Sequence, residues 1–253
     1  MATTKPRYKL IGLLGLLGYL FAMLGIALGI IPYVAILGLA GVIVAGIAWI
    51  ILGVDLKDNY YKVLGIILVA STIALFTMIY TWAYTIIIQI IMHQHVSTNK
   101  KEVFENLIDQ MLLLAALISL IIWPTEVFHI VGHFKARRDL EIELFKYSAI
   151  TRLIALIFNM ISTLLLIQNM YTSKQEILKI IEDVSRSMGT AIPEEIMFKL
   201  AKIIGLPLVL AFIASIAMVI ANTLSAVGFN KLRKFVDEVE KNVQSIHQIP
   251  TPS

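Results

Sequence analysis

Glu126, His129 and His133 are separated by three and then four residues, which places a carboxylate and two imidazoles on one helix face. These groups at this spacing suit two chemistries, the start of a metal site or a proton relay. A metal site would need a further ligand from another segment, and no residue stands out as that ligand. The plainer reading is a set of interfacial polar groups beside Trp123 and the bend expected at Pro124. A second set, Gln89, Gln168 and Asn169, could line a path through a membrane, aided by helix breaks at Pro124 and Pro207. Together with Asn159, Asn222, Thr223 and Ser225, they read equally as side chains that hydrogen-bond neighbouring helices. No acidic or basic residue is read as lying mid-span, which counts against an ion-coupled pump. The chain carries no G-x-S-x-G, H-E-x-x-H or phosphate-binding glycine loop, so no catalytic residue, cofactor or enzyme activity is expected.

The elements that must position these residues are apolar helices. Of 253 residues, 58% are hydrophobic and 15% charged, with a mean hydropathy of +0.85. Soluble domains average about 25% charged residues. A helix of roughly 20 apolar residues crosses the ~30 Å hydrocarbon layer. On that criterion the sequence predicts an all-α integral membrane protein of six spans in three hairpins, at 10–31, 33–54, 63–93, 109–132, 147–171 and 196–229. A basic tail, 1–9, precedes them; the first run is longer than a signal-peptide core and is expected to stay uncleaved. Residues 174–188 place Ile177, Ile180, Ile181, Val184 and Met188 at helical spacing and predict an amphipathic helix in the interface. The tail 230–253 carries a short heptad stripe through Leu232, Val236, Val239, Val243 and Ile246, and predicts a cytoplasmic helix.

Small residues mark the first hairpin. Gly15, Gly18, Ala22, Gly25 and Gly29 share one face of the first run, and Gly38, Gly41, Ala45 and Ala48 make a stripe on the second. Such stripes let two backbones approach closely where lipid gives no hydrophobic drive for association. Charge sets the expected topology. Of 21 lysines and arginines, 14 fall on the side that holds both termini and 7 on the other, which predicts cytoplasmic termini. Spans four and six end alike, in Val131-Gly132-His133-Phe134-Lys135 and Val227-Gly228-Phe229-Asn230-Lys231, read as a glycine stop followed by cations. Lys135, Arg137, Arg138, Lys231, Arg233 and Lys234 are the expected contacts to anionic lipid headgroups, in preference to nucleic acid.

The segment from Ile31-Pro32-Tyr33-Val34 through Leu39 to Ile43 and on to Tyr60-Tyr61 resembles an archaeal family of multi-pass membrane proteins, domain of unknown function 996. Its pattern is a glycine-rich first helix, an I-P-Y-V-G type turn, a second helix and a polar segment with a tyrosine pair. Ala35 stands where the family usually has glycine, and the resemblance is clearest over residues 10–70. It implies an archaeal cell membrane and assigns no catalytic residue. The expected function is a non-enzymatic structural or scaffolding subunit that partners the bilayer and other membrane subunits or itself. The alternative is a conduit subunit of a channel or of an import or export machine.

Overall fold

A computed structural model describes residues 5–28, 32–95, 100–186 and 194–247. Among them the chain is all-α, with seven helices and no strand: α1 (Lys5–Ala27), α2 (Pro32–Asp55), α3 (Asn59–His95), α4 (Lys100–Leu140), α5 (Glu143–Thr172), α6 (Lys174–Arg186) and α7 (Glu194–His247). Six of these, all but α6, are long and apolar enough to cross a membrane, which fits a multi-pass membrane protein. Gly29, the Ile31 turn position and the end of the expected interfacial helix at 187–188 lie outside the described residues, as do the side chains of Val236, Val239, Val243 and Ile246.

The helices run further than hydropathy alone suggests. At ~1.5 Å per residue, the 41 residues of α4 and the 54 of α7 exceed by far the ~30 Å of a hydrocarbon core. The charged stretch 134–146, between the spans expected at 109–132 and 147–171, is helical up to Leu140 and again from Glu143. The tail after Phe229 likewise continues α7 without a break. Lys, Arg, Glu and Leu are good helix formers, so loss of apolarity there is not loss of helix. Gly132 and Gly228 therefore do not stop their helices. Their missing side chains admit Leu64 and the Phe145 ring, respectively. At the end of α2 the left-handed residue is Lys57 (φ 54°), not Gly53. Asp58 N–H donates to the Gly53 carbonyl (2.9 Å) and Lys57 N–H to that of Val54 (3.3 Å), the double bond pattern of a Schellman cap. The α4–α5 turn also contains a left-handed residue, Glu141 (φ 57°).

The chain divides into two compact units. Unit 1 comprises Met1–Ile73, Thr125–Ile154 and Ser215–Ser253; unit 2 comprises Ala74–Pro124 and Ala155–Ala214. Within unit 1, α1 and α2 meet backbone to backbone. A methyl group on Gly18 would lie 2.5 Å from the Ala45 nitrogen, and one on Gly25 would run into the Gly38 Cα. Gly15 and Gly12, on the same helix, face α7 instead, where Phe229 and Arg233 fill the space. A further close contact, Gly46 of α2 on Gly65 of α3, joins the second and third helices. Ala22, Ala45 and Ala48 are all buried. Around these contacts sits an aromatic core of Tyr19, Trp49, Tyr61, Phe145 and Phe229, each at most 2% exposed. Trp49 packs edge-on against Phe229 (5.2 Å between ring centroids) and stacks on Tyr61 (5.5 Å).

Unit 2 holds α6. Its apolar stripe packs on protein: Leu178 and Ile180 are buried, and Ile180 clusters with Ile196 and Ile203 of α7. The charged Glu176 and Lys179 face outward. Lys174 pairs with Asp109 of α4 at 2.7 Å and fixes the start of α6.

Candidate functional site

In unit 1 the α4 face bearing Glu126, His129 and His133 meets polar faces of α5 and α7. On α5, Ser148 and Arg152 are one turn apart; on α7, Met218, Asn222 and Ser225 share one face. Arg152 is the centre. It is 2% exposed, and its Nη1 donates to both Glu126 oxygens, at 3.1 and 3.4 Å. Nη1 also reaches the Met218 sulfur (3.4 Å), and Nη2 donates to the Asn222 side-chain oxygen. The guanidinium carbon lies 5.4 Å from the centre of the Tyr19 ring. Nε–H has no partner among the described residues. One cation thus ties α4, α5 and α7 together, with a ring of α1 beside it.

A second chain of bonds fixes the imidazoles. Trp49 Nε1–H donates to the Tyr19 hydroxyl oxygen (2.7 Å), and the Tyr19 hydroxyl lies 2.5 Å from His129 Nε2. If His129 donated there, the buried phenol proton would be left without an acceptor. Tyr19 therefore donates, His129 Nε2 accepts, and the ring proton sits on Nδ1. That nitrogen is 3.8 Å from Glu126 Oε1, an electrostatic contact too long for a hydrogen bond. His133 Nδ1–H donates to the His129 carbonyl (2.9 Å), because a carbonyl can only accept. His133 Nε2 then accepts from the Ser225 hydroxyl (2.8 Å), which in turn lies 2.7 Å from the Ser148 hydroxyl.

This arrangement gives the three α4 residues separate partners: Glu126 has Arg152, His129 has Tyr19, and His133 has Ser225. Among the described residues, no three His, Cys, Asp or Glu side chains are placed to hold a metal ion. The Arg152 guanidinium stands directly against the Glu126 carboxylate. Arg152, nine residues into α5, and Glu126, fourteen residues before the end of α4, both fall inside the expected spans, toward their ends, and they pair with each other. Arg152 falls within the span expected at 147–171. Ser148 one turn before it, and Asn222 and Ser225 on a later span, were the signal that a buried charge had polar company.

The residues expected to line a path are separately placed in unit 2. Gln89 is half-buried on α3 and Gln168 exposed on α5. Asn169 donates its amide to the Ile203 carbonyl of α7 at 2.8 Å. Asn159 accepts from Trp123 Nε1 at 3.2 Å, so both amides join helices.

The cations expected at lipid headgroups fall into two groups. Lys135 is ion-paired with Asp58 (2.6 Å) and Asp139 (2.8 Å) and lies 5.3 Å from the Tyr61 ring centre, whose hydroxyl donates to Asp139. The Lys135 hydrogen bond holds the Asp58 carboxyl below its ordinary pKa. Arg137 pairs with Glu143 (2.5 Å) and Arg138 with Asp139 (3.1 Å). Lys231 and Lys234 are exposed, while Arg233 is half-buried against α1 at Gly12. Acidic neighbours at the turns, Asp58, Asp139 and Glu143, take up the α4 cations. No family model, no curated protein and no solved structure matches this chain.

Proposed function

We propose that this protein is a non-enzymatic structural subunit of a membrane assembly, with unit 1 as its rigid part. The observation that supports this reading is the Arg152–Glu126 pair at 3.1 Å, with Asn222 on the same guanidinium. An unpaired charge in this setting marks a substrate or ion site, whereas one matched by a carboxylate and an amide from two other helices acts as a cross-link. The Tyr19–His129 bond and the Trp49–Tyr19 bond extend that cross-link to α1 and α2. A buried pair of this kind gives specificity of helix arrangement more than net stability. The cell-membrane location, the cytoplasmic termini and the archaeal family resembled by the first hairpin belong to the same proposal.

Extraction from native membranes in mild detergent tests the reading. A subunit that co-purifies in fixed stoichiometry, and survives washing, is the expected result. A monodisperse protein with no partner that carries solute or proton flux in proteoliposomes contradicts it. Orientation is separately testable because the chain contains no cysteine. Lys62→Cys and Lys146→Cys should be labelled from the cytoplasmic face and Lys174→Cys from the other.

A further inference from the structure

Pro207 interrupts the backbone ladder of α7. Without an N–H it cannot donate to the carbonyl four residues earlier, that of Ile203. Ile203 is 5% exposed, so water is a poor substitute, and an unsatisfied carbonyl in so dry a place is costly. The structure supplies a donor from another helix. Asn169 Nδ2–H of α5 donates to the Ile203 carbonyl at 2.8 Å. Two turns earlier on the same face of α5, Ser162 Oγ–H donates to the carbonyl of Pro207 itself at 2.7 Å. Ser162 is 5% exposed, and the Pro207 ring is among the most completely buried side chains. Both contacts lie within unit 2.

We propose that Asn169 and Ser162 form a two-point latch in which the Asn169 amide replaces the backbone donor that Pro207 lacks. The latch sets where the α7 segment 194–206 lies against α5. That segment carries α6 with it, because Ile180 packs on Ile196 and Ile203. Release of the two side-chain bonds therefore frees one body made of α6 and the start of α7, with Lys174–Asp109 (2.7 Å) and Gln175–Glu105 (3.5 Å) still tying α6 to α4. Asn169 is a positioning residue, and its contribution depends on the residue at 207.

That dependence is the test. With the full chain in lipid nanodiscs, Asn169→Ala should shift the unfolding equilibrium by about tenfold when Pro207 is present, the usual effect of orphaning a buried acceptor. With Pro207→Ala, whose N–H can reach Ile203, the same replacement should change it by less than about twofold. Amide hydrogen exchange over 194–206 should speed up in Asn169→Ala and return to the parent rate in the double variant. If Asn169→Ala alone fails to fold, recovery of folding in the double variant supports the latch. Equal effects of Asn169→Ala in both backgrounds, no effect in either, or a double variant that also fails to fold would overturn it.

Discussion

Units 1 and 2 are built from stretches of the same long helices, yet they hold those helices together differently. In unit 1 the backbones touch: there is no room for a methyl group at Gly18, Gly25, Gly41 or Gly65 without meeting neighbouring main chain. In unit 2 a methyl group on Gly205 would meet nothing within 4 Å. The buried polar groups differ as well. Unit 1 closes a charge pair, two imidazoles and a tryptophan on one another, whereas unit 2 relies on single side-chain bonds to carbonyls or to an indole. Close packing and a paired charge define one arrangement sharply, while isolated bonds beside a proline leave the helix path adjustable.

Substitutions should expose the contrast. Glu126→Ala, which strands the Arg152 cation, should cost about 3–5 kcal/mol, read as loss of folded protein in detergent. Gly25→Leu and Gly18→Leu should each cost about 1–3 kcal/mol or prevent assembly of the α1–α2 pair, seen by thermal unfolding in lipid. Folding unchanged in both would remove the close-packing claim. Tyr19→Phe leaves the Trp49 N–H without its acceptor and His129 Nε2 without its donor, a loss of about 1–3 kcal/mol. Gly205→Ala, in the looser unit, should instead be neutral or stabilise by up to about 1 kcal/mol through helix propensity.

The smallest expected effect is on pH dependence at the α2–α3 turn. Asp58 has a pKa below its ordinary value of about 3.9 in the folded protein because of Lys135. A depressed carboxylate contributes stability above its unfolded pKa and loses it as pH falls through the folded one. Melting should therefore be insensitive to this pair from neutral pH down to about 4 and fall below that, with the acid step reduced in Asp58→Asn.

Much of the fold could be read from hydropathy, because apolar runs of spanning length leave few alternatives to helices. The ends of those helices could not. Residues 134–140 lose apolarity but keep helix-forming side chains, and the true turns are single left-handed residues, Lys57 and Glu141, of types that carry no turn signal. The candidate site was half legible. Glu126, His129 and His133 were visible from spacing, since spacing is a property of one helix. Arg152 and Asn222, their partners from α5 and α7, depend on which helix faces which, and one sequence does not encode that pairing locally. The Asn169 amide was legible as a polar group inside a span, and the proline it serves lies 38 residues away on another helix.

The central claim is that Glu126 and Arg152 form a cross-link whose worth lies in the pair. A double-mutant cycle with Glu126→Met and Arg152→Met, measured by unfolding of the full chain in lipid, tests it most directly. The account predicts that each single replacement is severely destabilising and that the double variant recovers most of the loss, because no charge is left buried alone. A double variant that loses the sum of the two single effects would contradict it.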